Sequence, residues 1–290
     1  DGWHSTAPEA AGKASRRYGA EEVRRAIGGG ELVNHYQPMV DVASGALTGV
    51  ETLVRWQHPD DGLIFPDDFI GVAEENGLID ALTHVVLVEA LAQTRRWLDQ
   101  GLKLRVAVNI SMQNLTRLDF ADLVLAEVVG AGVASENLTL EVTESRLMTD
   151  VLAPLDNLTR LRLRHVGLSI DDFGTGHSSL SQLRDIPFDE LKIDRSFVHG
   201  AGADRTRGAI FTASLEMARQ LGMKTVAEGV EDRADWDFLG LHGCDLAQGY
   251  FIARPMPADQ LAGWRADWET RRAKLVGAGP KPASASPSMS

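Results

Sequence analysis

The chain has 290 residues, 44% of them hydrophobic and 24% charged, enough apolar side chain for a sizeable core and too much for a globally disordered chain. With 29 Lys and Arg against 41 Asp and Glu the net charge is −12, which argues against binding to duplex nucleic acid, where clustered cations are rewarded. The single cysteine, Cys244, excludes an intramolecular disulfide and a cysteine-based zinc site, and no uncharged apolar run reaches the roughly 18 residues of a membrane span.

Residues 1–18 are small, polar and without period, and so is the Pro-, Ala- and Ser-rich end of the chain. They read as tails over 1–18 and 274–290, with one domain over 19–273. The chain opens on Asp1 rather than Met, so a regulatory domain is expected to precede it, and the lone thiol and missing leader fit a reducing cytoplasm. Within the domain, short apolar runs predict strands at Val33–Met39, Leu47–Trp56, Leu104–Ile110, Leu138–Val142, Gly167–Asp171, Glu190–Ile193, Lys224–Ala227 and Leu246–Phe251. Amphipathic stretches between most of them predict helices at Ala81–Leu98, Asp122–Val129, Val151–Leu163, Gly208–Leu221 and Ala234–Leu239. The first two strands are joined by DVASGA, a hairpin loop, so one of them runs antiparallel. Eight strands alternating with helices predict an α/β fold, a modified TIM (β/α)8 barrel with one antiparallel strand near its N-terminus. An open doubly wound sheet is the alternative, weakened because no Gly-rich dinucleotide fingerprint follows the first strand.

Polar residues close the apolar runs: Glu51 and Arg55, Asn109, Glu141, Asp171 and Asp172, Lys192 and Asp194, Glu228 and Glu231, and Gln248. Each has an ordinary explanation as a helix cap or surface ion pair. In a barrel, however, these strand ends converge on one mouth, where active sites are built. Five carboxylates gathered there (Glu51, Glu141, Asp171, Asp172, Glu228) must bind protons or find cations. Lys192 offsets one charge, and two divalent ions would offset the other four. An oxygen-only donor set that includes the Asn109 amide selects Mg²⁺ or Mn²⁺. Adjacent Asp171 and Asp172 suit a metal pair, a standard device for in-line phosphodiester hydrolysis, and Lys192 could position the attacking water. His58 and His177 lie near the expected mouth and are assigned structural roles.

The segments HYQPMVD, ETLVRWQHP, FIGVAEENGLI, VNIS, LEVTES, DDFGTGHSSL, LKIDRSF, VAEGVE and AQGYFIARPMP occur in that order over about residues 20–265. Together they resemble the EAL-domain family of cyclic di-GMP phosphodiesterases, bacterial enzymes that cleave one phosphodiester of that second messenger to give linear 5′-pGpG. The resemblance implies one metal held by Glu51, Asn109, Glu141 and Asp171, and a second held by Asp171, Asp172 and Glu228. It implies that Lys192 orients the attacking water. Gln37, Leu53, Arg55, Asp194 and Gln248 are the implied substrate contacts, with Arg55 pairing a phosphate. Glu144 and the loop from Asp172 to Ser179 are expected to couple metal binding to a homodimer contact, and Glu231 to support the site from behind. One position departs from the family pattern: its Glu-Ala-Leu is Glu51-Thr52-Leu53 here. Strand alternation turns Thr52 away from Glu51, toward the outer helices, where its hydroxyl needs a partner from strand backbone or a neighbouring helix. The rival reading, a cyclic di-GMP receptor without turnover, is expected to lack metal ligands, and here every matched ligand position is filled.

Overall fold

A computed structural model describes residues 18–143, 152–173, 186 and 188–276. Nine strands form the sheet among them: β1 Leu32–Asp41, β2 Leu47–His58, β3 Gly62–Ile64, β4 Arg105–Ile110, β5 Leu138–Thr143, β6 Gly167–Phe173, β7 Glu190–Ile193, β8 Lys224–Ala227 and β9 Leu246–Ala247. Strands β2 and β4 to β9 pair in parallel, and β1 runs antiparallel to both β2 and β9, so the ladder closes on itself with eight strands. Strand β3 hangs on β2 outside the ring. The fold is therefore the expected modified TIM barrel with one reversed strand. β2 is buried almost throughout because helices cover its outer face and barrel side chains its inner face.

Around the ring lie α1 (Ala20–Gly29), α2 (Ile70–Glu75), α3 (Ile79–Asp99), α4 (Met112–Leu115), α5 (Phe120–Gly130), α6 (Leu152–Leu163), α7 (Arg195–Val198), α8 (Arg205–Gln220), α9 (Arg233–His242) and α10 (Leu261–Val276). The five predicted helices correspond to α3, α5, α6, α8 and α9. Helices α1, α2, α4, α7 and α10 were not predicted. Helices α2, α4 and α7 are six residues or fewer; α1 has an apolar stripe of Val23, Ala26 and Ile27 but is only ten residues long and ends in glycines, and α10 is rich in charge and buries only Leu261 and Trp268. Tyr18, assigned from sequence to the tail, is buried against the rings of Trp56 and His58. The predicted last strand Leu246–Phe251 is also shorter in fact. Gly249 lies so close to Val230 that a Cβ there would fall 2.2 Å from the Val230 nitrogen, and the chain leaves the ladder after Ala247.

The large core lies between sheet and helices. Inside the ring, Met39, Ala107, Val226 and Leu246 form a small separate apolar cluster. Each stands two residues from a polar mouth residue on the same strand or its direct continuation: Gln37, Asn109, Glu228 and Gln248 respectively. Because strand side chains repeat their facing every second residue, this plug is the floor on which the polar layer rests.

Thr52 is fully buried and its cross-strand neighbour Tyr36 packs on Trp97 of α3, so it occupies the outward face as expected. Its Oγ1, however, has no hydrogen-bond partner among the described residues, contrary to the expectation that backbone or helix would supply one. Across from it on the neighbouring strands stand Tyr36 and Val108.

Candidate active site

Parallel register sets the first layer of the site. Asn109 lies directly opposite Glu141 on β4 and β5, and Thr143 opposite Asp171 on β5 and β6. Lys192 on β7 is fully buried, and its Nζ sits among four carboxylates: Glu228 at 2.7 Å, Glu141 at 3.0 Å, Asp171 at 3.2 Å and Glu51 at 3.6 Å. Asn109 Nδ2 donates to Glu51 Oε1 at 2.8 Å, and Gln248 Nε2 donates to Glu51 Oε2 at 2.5 Å and to Gln37 Oε1 at 3.0 Å. Residues from 37 to 248 thus meet in one buried network.

The electrostatics follow from this crowding. Burial would raise Glu51, but the Lys192 ammonium and the Gln248 and Asn109 bonds outweigh it and hold the carboxyl below its ordinary value. Glu141 and Glu228 are driven well above the usual carboxylate range, by burial first and by neighbouring carboxylates next, with Lys192 opposing. Asp171 is raised by burial against the pull of Lys192. Asp172 is pushed up to about 7 by burial and by Asp171. Lys192 would be lowered by its burial, yet Asp171, Glu141, Glu228 and Glu51 lift it well above the normal lysine value, so it remains an ammonium.

Glu51, Asp171, Asp172 and Glu228 also form the wall of an open cleft of about 260 Å³, with Glu141 and Lys192 beneath them. Gln37, Leu53, Asp194, Glu231 and Gln248 line the same cleft. Arg55 does not: it is buried, donates to the Val54 carbonyl at 2.9 Å and lies 4.9 Å from the Phe65 ring centre. Glu144, His177 and the loop beyond Phe173 fall outside the described residues. His58 has the structural role assigned to it, its Nδ1 accepting the backbone N–H groups of Asp60 and Asp61 at 3.1 Å. Arg195 and Tyr250 line the cleft without having been singled out. Both sit inside quoted segments, LKIDRSF and AQGYFIARPMP, but lie beyond the strand ends, Arg195 at the start of α7 and Tyr250 in a turn, where strand alternation does not apply.

Two backbone features aim these groups. Asp172 adopts φ 56°, a left-handed conformation uncommon for a residue with a side chain, while its N–H donates to Asp171 Oδ1 at 2.9 Å. Gly229 has φ 63°, and a Cβ there would lie 2.2 Å from Arg195 Cβ, so only glycine lets the turn after Glu228 pack against Arg195.

The residues fit divalent cations. The donor set is oxygen only, five carboxylates face one ammonium, and Glu141 Oε1 is buried with no hydrogen-bond partner among the described residues. Carboxylate oxygens of Asp171, Asp172 and Glu228 lie within 4.8 Å of one another, close enough to share an ion.

The EAL domain model matches residues 20–255. The chain belongs to the EAL domain family. It is 44% identical over 241 residues to the bifunctional diguanylate cyclase/cyclic di-GMP phosphodiesterase MucR of Pseudomonas aeruginosa, covering 83% of this chain and 35% of that protein. It is 46% identical over 242 residues to the cyclic di-GMP phosphodiesterase NbdA of the same organism, covering 83% and 31%. The chain thus spans about a third of the length of these curated relatives. Among solved structures, the PaMucR phosphodiesterase in complex with c-di-GMP superposes with a TM-score of 0.79 at 44% identity, covering 83% of this chain and 98% of that one. An EAL domain protein from Listeria monocytogenes superposes at 0.77 with 26% identity, covering 87% and 99%. No described helix is long and apolar enough to cross a membrane.

Proposed function

We propose that this EAL domain hydrolyses one phosphodiester of cyclic di-GMP to linear 5′-pGpG. The observation that carries the reading is Lys192, an ammonium buried among four carboxylates at the base of a cleft, in a chain so similar to a phosphodiesterase seen with c-di-GMP. Glu51, Asn109, Glu141 and Asp171 would hold one Mg²⁺ or Mn²⁺, and Asp171, Asp172 and Glu228 a second. Bound there, the ions would supply positive charge to the phosphoryl group and its attacking and leaving oxygens.

The chain's own residues then have defined work. A product that carries a 5′-phosphate requires the P–O3′ bond to break, so the attacking water must approach phosphorus opposite the 3′ oxygen. Lys192, at the centre of this carboxylate cluster, would orient this water and offset phosphoryl charge. Gln248 and Asn109 hold Glu51 ionised and fixed in direction. Gln37, Leu53, Asp194 and Gln248 contact the nucleotide, and Tyr250 offers a ring for a guanine, its other face covered by Arg254 at 4.0 Å. Arg55 supplies its positive charge from behind the wall, steadied by Phe65. Association into a homodimer and control by a further domain of a longer protein belong to the same reading.

Purified protein with Mg²⁺ or Mn²⁺ should convert cyclic di-GMP to pGpG, and EDTA should stop it. Binding of cyclic di-GMP without turnover in either metal would overturn hydrolysis and leave a receptor.

A further inference from the structure

Outside the carboxylate cluster, one buried acid is used with unusual completeness. Asp235, in the first turn of α9, is 3% exposed, and three donors from two different segments converge on it. Its Oδ1 accepts the Gly200 N–H at 2.9 Å. Its Oδ2 accepts the Glu231 N–H at 3.0 Å and contacts His199 Nδ1 at 2.9 Å. The two segments are those that build one side of the cleft. Residues 194–200 carry Asp194 and Arg195, and residues 228–231 carry Glu228 and Glu231. The two segments also meet at the Gly229–Arg195 contact and where His199 Nε2 lies 3.8 Å from Glu231 Oε2, and just before them the Glu228 N–H donates to the Ile193 carbonyl at 3.1 Å.

The chemistry of that junction is specific. Only an ionised carboxylate offers acceptors to all three donors without presenting one of its own. Gly200 and Glu231 donate from backbone, which no side-chain change short of proline removes. His199 is the side chain that completes the set, and at 44% side-chain exposure it can be changed without opening the core. Asp232, whose Oδ1 accepts the Asp235 N–H at 2.9 Å, lies beside this pair.

We propose that the His199–Asp235 pair is a positioning device for the hydrolysis: it locks the 194–200 and 228–231 segments together and so fixes where Glu228, Glu231 and Asp194 face the substrate. The inference rests on the phosphodiester reading of the cleft. The pair touches neither substrate nor reacting atoms. It acts by removing freedom from groups that do, and small misplacements of such groups are costly in rate.

The test compares wild type with His199→Ala, His199→Asn and Asp235→Asn, assayed with Mn²⁺ and cyclic di-GMP well below each melting midpoint. In His199→Asn the amide nitrogen takes the place of Nδ1 and can donate to Asp235. His199→Ala should lower kcat about tenfold with KM changed less than about threefold. His199→Asn should return kcat to within about twofold of wild type, and Asp235→Asn should be the most impaired because its NH₂ group faces donors. Folded His199→Ala protein with wild-type kcat would overturn the proposal. So would a loss confined to KM, or an Asn variant as slow as the Ala variant. A wild-type protein that does not turn over cyclic di-GMP would instead defeat the function from which the proposal starts.

Discussion

Thr52 offers a perturbation whose sign follows from one atom. The side chain is fully buried on the outward face of β2, and its hydroxyl has no partner among the described residues. A buried polar group left without a hydrogen bond costs about 1–3 kcal/mol, so replacing it by an apolar group of the same shape should recover much of that. Thr52→Val keeps the β-branch, the strand preference and nearly the same volume, and should stabilise the fold by about 1–2 kcal/mol. Thr52→Ala removes the same hydroxyl but also gives up a buried methyl worth about 0.8 kcal/mol, with a small cavity besides, and should come out close to wild type. For a domain of this size, about 2–4 °C per kcal/mol places the Thr52→Val melting midpoint about 2–8 °C above wild type. Calorimetry or a dichroism melt reads this directly, alongside phosphodiesterase rates. Those rates should not change, because residue 52 faces away from Glu51 and Leu53. A valine variant that melts at or below wild type would show the hydroxyl to be satisfied, and one with altered turnover would show that side chain 52 acts on the site.

Lys192→Met keeps length and removes charge, and should lower turnover by at least about 10²-fold. It leaves a buried carboxylate cluster without its ammonium, so its melting midpoint should fall below wild type by more in EDTA than in saturating Mg²⁺; equal deficits in both would separate Lys192 from the metal-binding carboxylates. Asp172 sets a pH window. Its carboxyl is raised from 3.8 to about 7, so the folded chain binds this proton more tightly than the unfolded one, and stability is lost as pH rises from about 4 through about 7. In EDTA, wild type should therefore be more stable near pH 5 than near pH 8 by a larger margin than Asp172→Asn, as read by denaturant unfolding. Identical pH slopes would mean that Asp172 carries no raised pKa.

Much of the barrel was legible because its signals are local. Eight apolar runs mark eight strands, and the polar residue at the end of each run marks the mouth, since strand side chains alternate and the covered sheet demands apolar residues everywhere else. The same alternation correctly turned Thr52 outward. What escaped was non-local or too short to have a period. Strand β3 has three residues, α1 only ten, and α10 buries too few side chains to make a clear stripe. Arg195 and Tyr250 enter the cleft from beyond the strand ends, and Asp235 is paired by groups 35 and 36 residues away.

Residue types and their order along the chain determined the alternating strand–helix pattern, the acidic, oxygen-rich composition of the strand ends and the resemblance carried by nine segments. Only the closed sheet decided that these ends meet: parallel register sets Asn109 beside Glu141, the antiparallel first strand brings Gln37 to Gln248, and Lys192 reaches four carboxylates drawn from four other strand ends. It also decided that Arg55 stands behind the cleft wall and that Thr52 finds no hydrogen-bond partner among the described residues. The reason is that one strand's periodicity states which way a side chain points, whereas distance across a barrel depends on how eight strands are staggered, and the stagger is set by all of them at once.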